Sequence, residues 1–139
     1  MAATSSYITN SEDIASVATY LEQMDSSLES SEEETSDAFN ILYDSLMAKI
    51  QPSLATYYYD LGYGSYKDEN YAEAIPNLER AFRYDPTNGD ACFYLGNSYR
   101  RNDEEDKAKE AYATVIDNFP DSERASKAET YLAEMNNQE

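Results

Sequence analysis

Histidine is absent from the 139 residues, and Cys92 is the only thiol. Near neutral pH, general bases, triad centres and zinc ligands come mostly from histidine, so those chemistries have no foothold here. Cys92 falls on the apolar stripe of a helical pattern, with nothing nearby in sequence to lower its pKa. It reads as a buried structural thiol, not a nucleophile. One thiol makes no internal disulfide and leaves the redox compartment open. Carboxylates are plentiful, 28 Asp and Glu against 10 Lys and Arg. Their pattern places them on helix surfaces, without the enclosed cleft that paired acid–base work needs. The run Ser30-Ser31-Glu32-Glu33-Glu34 reads as a solvated loop before it reads as a phosphorylation or basic-partner segment. The phrase DPTNGD at 85–90 lacks the ligand alternation and distal Glu of a calcium loop. The residues point to no catalytic, cofactor or metal site, and binding is the chemistry that remains.

The net charge is −18 and divides about evenly between residues 1–54 and the rest. Nucleic-acid binders need clustered Lys and Arg to displace counterions, so nucleic acid is excluded as a partner. Anionic lipid surfaces are excluded by the same argument. Tyrosine is used 14 times while Trp is absent. A tyrosine buries a large ring and keeps a polar tip, which suits surfaces half packed and half wet. No apolar run approaches the ~20 residues of a membrane span, so direct membrane insertion is not expected. The opening MAATSSYITN has no basic n-region and no apolar h-region, and no signal peptide is expected. A cytoplasmic protein and a segment following an anchor both fit that opening.

The elements that must position any binding surface are helices. Pro52, Pro86 and Pro120 lie 34 residues apart. Residues 55–88 and 89–122 share one plan, and a period of this length signals a stacked-helix array. In the first copy Tyr58, Leu61, Gly62 and Tyr66 form a short amphipathic stretch. After the Lys67-Asp68-Glu69 break, Asn70 and Glu73 have capping-box spacing. Ala74, Leu78, Ala81 and Phe82 then recur at helical period. Pro86 ends this helix, while Pro76 inside it is expected to kink but not break it. The second copy runs from a helix ending near Arg101, through a turn at Asn102–Glu104, to a helix through Asn118. From Ser122, Ala125, Ala128, Leu132 and Met135 share one face of a terminal helix whose other face is charged, as the exposed end of a stack requires. Before the repeats, Ile14, Val17, Ala18, Leu21 and Met24 mark one amphipathic helix. Phe39, Leu42, Leu46 and Ile50 mark another, with Ser36 as its N-cap. Pro52 is in register with the later prolines, but the stripe before it fits only when shifted by about two residues. The organisation expected is a degenerate helix pair with an acidic loop over 1–54, two repeats over 55–122, and a capping helix with tail over 123–139.

Residues 55–122 resemble two tetratricopeptide repeats. The pattern reads Tyr58, Leu61, Gly62, Ala74, Leu78, Ala81, Pro86, then Cys92, Leu95, Gly96, Tyr99, Ala108, Tyr112, Pro120. Ser65 replaces the aromatic expected in the first copy, and the expected Trp is Tyr58 in one copy and Cys92 in the other. Gly62 and Gly96 belong where two helices approach most closely and a Cβ would push them apart. Ala74 and Ala108 do the same from the second helices. The resemblance implies an all-α fold of antiparallel helix pairs in a right-handed superhelix, with first helices lining a concave face. The phrase NFPDSERASKAETYLAEM at 118–135 is similar to the end of bacterial cell-envelope members. That likeness implies an extracytoplasmic, anchored protein, with a cytoplasmic one as the alternative.

The same resemblance places Tyr59, Tyr63, Tyr66 and Lys67 on the inner face of the first repeat, and Phe93, Tyr94, Asn97, Arg100 and Arg101 on that of the second. Arg124 and Lys127 come from the capping helix. An aromatic floor with a basic edge suits a peptide with apolar anchors and an acidic part. The competing reading packs these tyrosines internally. At the positions where chaperone-tail binders of the family clamp a carboxylate, this chain has Tyr59, Tyr63 and Tyr94, and only Arg124 is basic, so that clamp is not expected. The function expected is a non-catalytic protein–protein interaction module without cofactor. The alternatives are a self-association module, with a homodimer as its product, and an envelope glycan binder using stacked tyrosines.

Overall fold

The computed structural model describes residues 15–17, 19, 20, 23 and 37–138. The chain divides into two compact units, Met1–Tyr57 and Tyr58–Glu139. Every described element is an α-helix. Among the described residues no helix is long and apolar enough to cross a membrane.

In the first unit, the described positions between Ala15 and Gln23 are helical, and the Thr19 hydroxyl donates to the Ala15 carbonyl at 3.0 Å. Ser36, the acidic loop at 26–35, and Ile14, Ala18, Leu21 and Met24 lie outside the described residues. Helix α1, Asp37–Lys67, begins in this unit. Phe39 stacks on Tyr43 at 6.4 Å. Of the expected stripe only Ile50 is buried, joined by Leu54 and Ala55, while Leu42 is 70% and Leu46 46% exposed. Pro52, expected from its register to close a segment, lies instead inside α1. A proline there removes one backbone donor, so the Ala48 carbonyl loses its intrahelical partner. Ala48 is exposed, where water satisfies that carbonyl at little cost. The Thr56 hydroxyl donates to the Pro52 carbonyl at 3.1 Å.

The second unit contains the end of α1, then α2 (Tyr71–Tyr84), α3 (Gly89–Arg101), α4 (Glu105–Asn118) and α5 (Glu123–Asn136). Each packs on the next, and α3 also touches α5. Ala74, Leu78, Cys92, Ala108, Tyr112, Val115, Ala125 and Ala128 form the buried centre. The small residues fall where the period places them. A Cβ on Gly62 would lie 2.7 Å from Leu78 Cγ, and one on Gly96 2.9 Å from the Tyr112 ring. Leu95 is 7% exposed, whereas its first-repeat equivalent Leu61 is 42% exposed. Pro86 and Pro120 each follow the last helical residue, Tyr84 or Asn118, by two positions. Helix α2 runs through Pro76 without a break.

The Asn70–Glu73 capping box does not form: Asn70 is the N-cap of α2 but its side chain makes no cap hydrogen bond. The turn before it is the cause. Glu69 adopts φ 61°, the Asn70 amide donates to the Ser65 carbonyl at 2.8 Å, and the Glu69 amide to Tyr66 at 3.0 Å. This is a Schellman motif, and it consumes the amide that the Glu73 carboxylate would have received. The second repeat copies it, with Asp103 at φ 60°, Glu104 donating to Tyr99 at 2.8 Å and Asp103 to Arg100 at 3.3 Å. By contrast, Asn88 and Ser122 do cap α3 and α5, each accepting from the amide three residues on. A left-handed conformation costs a residue with a Cβ about 1–2 kcal/mol, part of which glycine returns through its own chain entropy. Glu69→Gly and Asp103→Gly should therefore each stabilise the fold by about 0.5–1 kcal/mol. Urea denaturation checks this, and a loss of stability in both variants would contradict the turn geometry.

Candidate functional site

The 34-residue period puts Tyr63, Asn97 and Tyr131 at equivalent positions of α1, α3 and α5. One face of three helices is thereby aligned, and it is paved with rings. Tyr59 stacks on Tyr63 (centroids 5.8 Å apart, 2° between planes), and Tyr63 stacks on Tyr66 (6.3 Å, 19°). Tyr94 of α3 leans against both Tyr63 and Tyr66 at 4.9 Å. Phe93 continues the line to Tyr94 at 5.7 Å and to Tyr131 of α5 at 6.2 Å. Stacked and edge-on pairs of this kind each add about 0.5–1.5 kcal/mol beyond burial. The tract is therefore a rigid floor.

Two guanidinium groups are laid onto that floor. Arg124 sits 5.1 Å from the ring centres of both Phe93 and Tyr94. Its Nε donates to Asp90 at 3.1 Å, and its other arm to the Tyr94 hydroxyl at 2.8 Å. Arg100 lies 4.1 Å over the Tyr131 ring, with its Nε enclosed and lacking a hydrogen-bond partner. Stacking on a ring face holds the Arg100 charge in place, whereas Arg124 is held by its rings and by the Asp90 carboxylate together.

Beneath the floor, Asn97 joins two layers. Its Nδ2 donates to the Tyr66 hydroxyl at 3.2 Å, and its Oδ1 accepts from the Tyr112 hydroxyl at 2.5 Å. Burial pushes the Tyr112 phenol well above its ordinary pKa, against the opposing charge of Arg100. Burial also raises Tyr59, to about 12, with Asp90 acting in the same direction and Arg124 against it. Tyr94 is raised by burial while Arg124 opposes. For Arg124, burial alone would lower the pKa, but the hydrogen bond to Asp90 and the neighbouring charges outweigh it and raise the group. These phenols stay neutral near pH 7 and act as donors and ring faces. The Cys92 thiol donates to the Ala111 carbonyl at 3.4 Å, and burial lifts its pKa to about 11, so it is not a nucleophile at neutral pH.

The expected site residues thus separate into groups. Tyr59, Tyr63, Tyr66 and Tyr94 come together, half-buried, with Arg124 beside them. Phe93 and Asn97 are only 3% and 5% exposed; they support the floor and offer a partner almost no surface. Arg101 stands over Tyr71 at 5.4 Å and 3.9 Å from the Glu69 carboxylate. Lys67 covers Tyr63 at 4.9 Å, and Lys127 pairs with Glu123 at 3.6 Å. Tyr131 and Asp90 were not expected. Tyr131 was legible in principle, since it lies one period beyond Asn97; Asp90 lies one period before Arg124, its partner.

Comparison with curated proteins finds no match. The helix pairs, the close-approach glycines and the 34-residue register all accord with a match of residues 65–134 to the tetratricopeptide repeat model, so the chain belongs to the tetratricopeptide repeat family, whose repeats mediate protein–protein interaction.

Proposed function

We propose that the chain is a non-catalytic interaction module that docks a protein or peptide segment on the aromatic face formed by Tyr59, Tyr63, Tyr66 and Tyr94. The observation that carries this reading is the unbroken ring tract, half-exposed and rigidly backed, with cationic groups at its edge in a chain of net charge −18. An apolar anchor of the partner lies on the tyrosine faces. Arg100 and Arg101 meet its acidic part, with Lys67 and Lys127 further out. Preorganisation favours binding, because ring-locked side chains lose little entropy when a partner arrives. The likeness of residues 118–135 to cell-envelope members supports a bacterial, extracytoplasmic setting for this face.

Affinity capture with the wild-type chain and with Tyr63→Ala tests the reading. A partner recovered by the wild type should be lost or reduced about tenfold by the substitution, a change of about 1.4 kcal/mol. Arg101→Glu should weaken it further for an acidic partner. Retention of the same partner by both variants would sink the reading. Self-association is the second reading, favoured by Ile41, Leu42 and Leu46, which are 46–70% exposed on α1. A dimer that persists through a dilution series in light scattering would support it.

A further inference from the structure

Among the differences between the two repeats, two neighbouring exchanges leave a hollow on the second. In the first repeat Tyr58 is 7% exposed, stacked on Tyr84 at 5.9 Å, with the Arg80 guanidinium 5.5 Å over its ring. One period later, Cys92 replaces Tyr58 and Thr114 replaces Arg80. A ring and a guanidinium are exchanged for two small side chains. A cavity of about 330 Å³ opens there, with Phe82, Cys92 and Leu95 among its lining and the carboxylates of Glu79 and Glu110 at its mouth. That volume is at the lower end of ligand pockets, roughly 300–1,000 Å³.

We infer that this hollow between α2 and α4 is a second docking site, built for a partner's aromatic side chain followed by a basic one. The first repeat supplies the template: what Tyr58 and Arg80 provide internally, the partner provides to the second. Charge favours the same occupant. Glu79 and Glu110 are exposed. Tyr99 donates a hydrogen bond to Glu79, which fixes that carboxylate at the rim. The one lysine on the rim, Lys107, already pairs with Glu104 at 3.4 Å. An arriving cation therefore meets two carboxylates in a strongly acidic chain, which also speeds its approach. The site shares no residue with the tyrosine tract and does not depend on that tract's role.

The test is a titration of the isotope-labelled chain with acetyl-Tyr-Arg-amide, followed by amide chemical shifts. Shifts are expected at Cys92, Leu95 and Thr114. Acetyl-Ala-Arg-amide and acetyl-Tyr-Glu-amide should each bind roughly fivefold more weakly. Thr114→Arg, which returns the first repeat's guanidinium to the hollow, and Glu110→Lys should each weaken the Tyr-Arg probe by a similar factor. Neither side chain is buried in the core, Glu110 being exposed and Thr114 half-buried, and far-UV circular dichroism checks that the variants fold. Tyr63→Ala should leave this titration unchanged. Absence of shifts at the hollow, shifts confined to the tyrosine tract, or equal affinity for the three dipeptides would each overturn the inference.

Discussion

Gly96→Ala should lower the stability of the fold by about 2 kcal/mol, although alanine is the better helix former. Intrinsic propensity favours alanine over glycine inside a helix by roughly 0.5–1 kcal/mol. At Gly96 that gain is outweighed by crowding. The added Cβ would lie 2.9 Å from Cδ1 and Cε1 of Tyr112 and 3.4 Å from the Ala111 Cβ. Tyr112 has nowhere to retreat: it is fully buried, its hydroxyl is bonded to Asn97, and Phe93 and Tyr131 flank its ring at 6.2 and 5.7 Å. Gly62→Ala meets the same obstacle, with Leu78 Cγ at 2.7 Å and the Leu78 backbone nitrogen at 3.0 Å. Gly64 provides the internal control. Nothing lies within 4 Å of a Cβ built there, so Gly64→Ala should stabilise by the propensity term alone, about 0.5–1 kcal/mol. Thermal melts should show opposite signs, a fall of roughly 8–16 °C for Gly96→Ala against a rise of a few degrees for Gly64→Ala. If all three substitutions shift stability in the same direction, close approach is not what these glycines serve.

The glycines show why so much of the fold was legible. Close approach leaves a compositional trace, and when the trace repeats at 34 residues, register, helix pairing and the buried alanines follow from it. Pro52 shows the limit. Its spacing matched Pro86 and Pro120, but a proline acts on its own turn, and at Pro52 the orphaned Ala48 carbonyl is exposed to water while the helix continues. The Asn70–Glu73 spacing misled for a related reason. A capping box competes for the same amide as the Schellman turn, and Glu69 in a left-handed conformation decides the contest. That conformation is unexpected for glutamate and leaves no mark in the pattern. The tyrosine face was legible as a set, because ring types on first helices coincide with the period. Its inner workings were not. That Phe93 and Asn97 support the floor depends on how α4 and α5 close over α3, and on Tyr131, which lies within the helix read only as a cap.

Asn97 then becomes the residue on which core and face both depend, and Asn97→Ala should cost about 2–4 kcal/mol. Two contributions combine. Truncation leaves a cavity at a position only 5% exposed. It also strips the Tyr112 hydroxyl, buried and 2.5 Å from Asn97 Oδ1, of the acceptor it donates to. A buried hydroxyl without a partner costs about 1–3 kcal/mol. That second contribution is removable: Tyr112→Phe takes away the donor, so adding it to Asn97→Ala should recover about 1–2 kcal/mol. Simple additivity of the two substitutions would show that the hydrogen bond contributes nothing. The consequence reaches the surface through Tyr66, whose hydroxyl accepts from Asn97 Nδ2 and whose ring contacts Tyr63 and Tyr94. Without Asn97, Tyr66 keeps its ring contacts but loses its tether to the core. A partner held by the tyrosine face should therefore bind Asn97→Ala more weakly even below its melting transition, while Tyr112→Phe alone, which leaves the Asn97–Tyr66 bond in place, should bind as the wild type does.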